Sequence, residues 1–94
     1  MCGICGRINY NKQDVHSEDI QSMMDCMKYR GPDDEGVFVQ HHIGLGFVRL
    51  SIIDLSAAGH QPMKDESGRY VLVFNGEIYN YIEIRKELAN LGIV

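Results

Sequence analysis

The period of the hydrophobic pattern changes along this chain, and that change limits the available folds more than any single residue does. Ile20, Met23, Met24 and Met27 recur at i, i+3, i+4 and i+7, which places them on one face of a helix. The flanking stretches read as strands. Ile4, Arg7, Ile8 and Tyr10 lie in a short, partly alternating run. Residues 36–40 and 43–50 form two further strand-like runs joined by His41-His42, and residues 70–74 form an apolar strand. A helix with one apolar face must bury it, and the neighbours on offer are strands. The order strand, helix, several strands, helix predicts an α+β layered fold, with antiparallel strands and helices packed on them.

Local signals set the boundaries. Residues 11–16 are polar and turn-like, and Ser17 is a plausible N-cap with Glu18 and Asp19 in the first turn, where carboxylates favour the helix dipole. Gly31-Pro32 should close this helix. Residues 54–67 read as a long irregular stretch, and residues 77–79 as a short strand. Asn80-Tyr81-Ile82-Glu83 matches a capping box, Ile84, Leu88 and Leu91 mark the face that its helix should bury, and Gly92 is a good residue to follow it. The chain stops two residues later, so a fragment of a larger domain is expected, with residues 1–94 as its N-terminal portion.

With 94 residues the chain has room for one small domain. Its net charge of −4 and the lack of a Lys/Arg cluster argue against a nucleic-acid partner. No apolar run reaches the roughly 18 residues needed to span a membrane, and no signal-peptide pattern opens the chain, so a cytoplasmic location is expected. Three cysteines do not suggest a disulfide framework.

Cys2 follows the initiator Met1 directly. Removal of Met1 would give one residue a thiol and a free α-amine, whose pKa of about 7.7–8.0 suits a base that takes the thiol proton. Many chains begin Met-Cys without catalytic purpose, so other residues must decide. Cys2 and Cys5 also form a Cys-x-x-Cys pair, open to a redox or zinc reading. The redox reading wants the pair at the start of a helix, and here it opens a strand. The zinc reading lacks a second closely spaced Cys/His pair, so no metal site is expected. Cys5 reads as a small core residue and Cys26 as structural.

Two further features have paired readings. Asn75-Gly76 between apolar stretches is a strong hairpin signal, because both residues tolerate positive φ. The same pair offers an amide side chain beside a Gly N–H, two neutral donors suited to an oxyanion hole. Arg49 ends an apolar strand. It is open to reading as a surface cation or as a guanidinium fork for a carboxylate. Gly31-Pro32-Asp33-Asp34-Glu35-Gly36 reads as an acidic turn, since its oxygens lack the spacing of a calcium loop. His60-Gln61-Pro62 is open to reading as plain loop or cleft wall.

Five blocks in order resemble the glutaminase domain of class II glutamine amidotransferases, which are N-terminal-nucleophile hydrolases. They are Met1-Cys2-Gly3-Ile4, Arg30-Gly31-Pro32-Asp33, Arg49-Leu50-Ser51-Ile52-Ile53-Asp54, Gly59-His60-Gln61-Pro62 and Phe74-Asn75-Gly76-Glu77-Ile78-Tyr79-Asn80. Within that class the sequence is most similar to glutamine-hydrolysing asparagine synthetases. The resemblance implies part of a four-layer α/β/β/α sandwich with antiparallel sheets, cut after the second helix. It implies Cys2 as nucleophile, Asn75 and Gly76 as the oxyanion hole, and Arg49 as the clamp for the glutamine α-carboxylate. Leu50, Ile52, Ile53 and Glu77 would line the rest of the pocket. No cofactor is implied for this chain itself. ATP and magnesium would serve a C-terminal synthetase domain that consumes the ammonia. A homodimer or a self-associating fragment is expected.

Overall fold

The computed structural model describes residues 2–50 and 59–93. The elements in chain order are β1 (Gly3–Ile8), α1 (Ser17–Cys26), a single 3-10 turn (Lys28–Arg30), β2 (Asp34–Gln40), β3 (Ile43–Arg49), β4 (Met63–Lys64), β5 (Val71–Leu72) and α2 (Tyr81–Asn90). Strands β1, β3 and β2 form an antiparallel sheet in that order, with β3 central. Strands β4 and β5 form a separate two-stranded antiparallel sheet. The architecture is α+β, as the change of period predicts.

Helix α1 packs on one face of the larger sheet because β3 is cut back to backbone there. A side chain at Gly44 or Gly46 would come within 2.8 Å of Ile20. Ile20, Met24 and Val48 are fully buried and Val15 nearly so, with Cys5, Met23, Met27 and Val39 packed around them. Each fully buried apolar side chain of this kind is worth about 1.5–3 kcal/mol. The stripe that predicts the helix is therefore the stripe that builds the core.

The β2–β3 hairpin turns at His41-His42, with His41 in the left-handed region at φ 54°. Its tip is tied to the segment after β1: the Asn9 N–H donates to the His42 carbonyl and the Val15 N–H to the His41 carbonyl, both at 2.8 Å. These bonds bend the chain away before Tyr10, which is exposed and outside β1.

Other expectations are corrected. The N-cap of α1 is His16, one residue before Ser17; the Asp19 carboxylate accepts the His16 N–H at 3.4 Å. The α-helix stops at Cys26 and a 3-10 turn carries the chain to Gly31. Residues 77–79 form no strand and find no ladder partner among the described residues; β5 ends at Leu72. Part of the stretch expected to be irregular is instead β4. At Asn80 the backbone (φ −99°, ψ 32°) is not extended, and its side chain makes no capping bond, so the box does not form.

The C-terminus of α2 does follow its signal. Gly92 takes φ 82°, its N–H donates to the Ala89 carbonyl at 3.0 Å, and the Ile93 N–H donates to the Leu88 carbonyl at 2.8 Å. This is a Schellman cap. The face expected to be buried is not: Ile84, Leu88 and Leu91 are all exposed.

Candidate active site

The start of the chain meets the end of β3. Register in the sheet pairs Gly3 with Val48, so Cys2 stands one step beyond, beside Arg49 and Leu50. The Leu50 N–H donates to the Cys2 Sγ at 3.4 Å, and the thiol faces the Leu50 carbonyl at 3.9 Å. The Cys2 carbonyl accepts two side-chain donors, Arg30 Nε at 3.2 Å and Asn75 Nδ2 at 3.0 Å. Residues 28 and 73 positions away thus fix the backbone of Cys2.

Asn75 reaches Cys2 with one N–H of its amide, which has a second. The Gly76 N–H makes no hydrogen bond among the described residues, and Asn75 and Gly76 are both exposed. Phe74, the residue before them, is held at both peptide groups by one side chain. Gln61 Oε1 accepts the Phe74 N–H at 2.6 Å, and Gln61 Nε2 donates to the Phe74 carbonyl at 3.2 Å.

Arg49 is 8% exposed, which is unusual for a cation. The backbone crowds it: an isolated bridge joins Pro32 to Arg49, and the Asp33 N–H donates to the Arg49 carbonyl at 3.0 Å. A side chain at Gly31 would strike the Arg49 backbone, and one at Gly59 would strike its guanidinium. Both glycines are therefore required by close approach. Next to Gly59, His60 Nδ1 lies 2.6 Å from Asp34 Oδ2. The hydrogen bond from His60 holds the Asp34 carboxyl below the usual carboxylate range, with a smaller contribution from the charge of Arg49.

The structure thus gathers Cys2, Leu50 and Asn75 by direct bonds, with Arg49 next to Leu50 in sequence. Glu77 is exposed and makes no hydrogen bond or ion pair among the described residues. Ile52 and Ile53 lie outside the described residues. Arg30 and Gln61 belong to the site's support, a role that reading residue by residue did not assign; the signal available was their membership of the Arg30-Gly31-Pro32-Asp33 and Gly59-His60-Gln61-Pro62 blocks.

Cys2 and Cys5 do not form a pair. All three cysteines are free thiols, and Cys5 points into the core under α1, where burial pushes its thiol pKa up. Among the described residues no group of three or more His, Cys, Asp or Glu side chains is placed to hold a metal ion. None of their helices is long and apolar enough to cross a membrane.

Comparison with known proteins gives these features a common context. Residues 1–93 match the glutamine amidotransferase domain family. A protein named putative asparagine synthetase [glutamine-hydrolyzing] 2 of Methanocaldococcus jannaschii is 48% identical over 97% of this chain and 21% of its own length. Asparagine synthetase [glutamine-hydrolyzing] 1 of Bacillus subtilis is 46% identical over 98% of this chain and 15% of its own. Amidase chry2 of Gibberella zeae is 47% identical over 78% of this chain and 11% of its own. The chain therefore spans about a fifth or less of the length of these relatives. The match over nearly the whole chain establishes that it belongs to the glutamine amidotransferase domain family.

Proposed function

We propose that this chain supplies the catalytic front of a glutaminase, which hydrolyses the side-chain amide of glutamine to glutamate and ammonia. The convergence of the Asn75 amide on Cys2 from 73 residues away carries this reading. Removal of Met1 frees the α-amine of Cys2, which takes the thiol proton as Sγ attacks the amide carbon. The carbonyl oxygen gains negative charge, and the second N–H of Asn75 and the Gly76 N–H are the donors for it. The tetrahedral intermediate collapses as the protonated amine gives its proton to the leaving nitrogen, and ammonia departs. Water then attacks the thioester, releasing glutamate and returning the thiol. Arg49 is the fork for the α-carboxylate of glutamine. Leu50, Ile52, Ile53 and Glu77 line the remaining pocket.

The names of the relatives support a wider reading. In a longer protein of their kind, a C-terminal synthetase domain passes the ammonia to aspartate activated by ATP and magnesium, in the cytoplasm. The two antiparallel sheets and two helices are then part of the four-layer sandwich of N-terminal-nucleophile hydrolases. No residue of this chain is assigned to ATP or magnesium.

The test is Cys2→Ala in the full-length protein. Glutamine-dependent amide synthesis should disappear while synthesis from added ammonia persists. Equal loss of both in a folded variant would overturn the reading.

A further inference from the structure

Strand β5 ends at Leu72, so the segment that carries the two oxyanion donors has left its ladder before it reaches them. Gln61 supplies bonds of the kind the ladder no longer gives. Its amide accepts from the Phe74 N–H at 2.6 Å and donates to the Phe74 carbonyl at 3.2 Å, as a neighbouring strand would. The orientation of that amide follows from its partners: only the oxygen can accept from an N–H and only the nitrogen can donate to a carbonyl.

Gln61 is itself held from behind. Its backbone carbonyl presses on Gly36 of β2 so closely that any side chain at 36 would overlap it. One residue earlier, His60 Nδ1 bonds to Asp34 Oδ2 at 2.6 Å, again on β2. A rigid strand of the main sheet thus fixes residues 60–61, residue 61 fixes the peptide groups of Phe74, and Asn75 follows directly. Gln61 makes no hydrogen bond to Cys2 among the described residues, so its effect passes through Phe74.

We propose that Gln61 is a positioning residue for the Asn75–Gly76 oxyanion donors, a proposal that rests on the glutaminase reading above. Donors of this kind act on the transition state and little on the bound substrate. Losing the clamp should therefore lower kcat and leave the KM for glutamine nearly unchanged, because misplacing a reacting group by about 1 Å can cost on the order of 100-fold in rate.

The experiment uses the full-length protein and measures glutaminase kinetics for Gln61→Met, Gln61→Glu, Asn75→Ala and the double variant Gln61→Met/Asn75→Ala. Gln61→Met should lower kcat by about 10- to 100-fold with KM within about twofold of the parent value. On the Asn75→Ala background the same change should cost a clearly smaller factor, since one of the two donors it positions is gone and only the Gly76 N–H remains to be misplaced. Gln61→Glu gives a second readout that does not depend on the methionine variant folding. A protonated Glu can restore both bonds to Phe74, whereas an ionised one sets its charge against the Phe74 carbonyl. Its kcat relative to the parent should rise as the pH falls toward about 4.3. Asn75→Ala separates the two ideas. If it lowers kcat strongly but Gln61→Met acts on KM alone, or costs the same factor with and without Asn75, or the Glu variant's ratio is flat with pH, the clamp is refuted and the glutaminase reading stands. If Asn75→Ala leaves kcat unchanged, the oxyanion reading fails and the Gln61 proposal fails with it.

Discussion

Asn75 donates one N–H to the Cys2 carbonyl and its amide has a second, so under the proposed glutaminase function a single side chain would both hold the backbone of Cys2 and offer a donor to the substrate. Asn75→Ala should lower glutaminase kcat by about 100- to 1,000-fold, the usual cost of one oxyanion donor, as steady-state kinetics would show. Asp34 allows a pH test. Its folded pKa is depressed by His60, so the bond stabilises the fold above the normal carboxylate pKa and is lost as pH falls through the lower, folded value. Asp34→Asn should therefore be less stable than the parent at pH 7, and the gap should close in strong acid, measured by urea denaturation across pH. In the sequence Cys2 and Asn75 each carry an ordinary structural reading beside the catalytic one, and only the family resemblance chooses between them; what the structure adds is the bond that joins them. Arg30 and Gln61 were not legible, because a side chain that bonds to a distant backbone group leaves no local pattern.

At the scale of elements, α1 was legible because its apolar spacing and its burial are one fact: Ile20 and Met24 lie at 0% exposure against the glycines of β3. Met24→Ala should leave a cavity and cost about 2–5 kcal/mol in chemical denaturation, whereas Met23→Ala, at the partly buried edge, should cost less. The β2–β3 hairpin was equally legible from two apolar runs and a two-residue break. The short strands were not. Two residues carry too little periodicity to declare β4, and 77–79 has strand-like composition but no partner among the described residues. The capping sequence at Asn80 failed for a related reason: a cap depends on backbone angles that composition does not dictate.

The molecule as a whole is apolar on more than one side. Ile4 and Ile8 of β1 and Ile43 of β3 are exposed on the sheet, and α2 shows Ile82, Ile84 and Leu88 to solvent. The isolated 94-residue polypeptide should self-associate, with sedimentation velocity giving a weight-average mass that rises with concentration. A stable monomer over the same range would contradict this. The buried face expected for α2 was the largest misreading, because amphipathic spacing says which side of a helix seeks cover and not what supplies it.

The bonds that hold Cys2 come from residues 30, 50 and 75. During synthesis none of these partners exists when the first residues leave the ribosome. At about 5–20 residues per second, the amino end waits several seconds for Leu50 and Asn75 to follow it. Cys2 is thus open to processing enzymes while the chain is being made, and its carbonyl gains the Asn75 bond only once residue 75 has emerged.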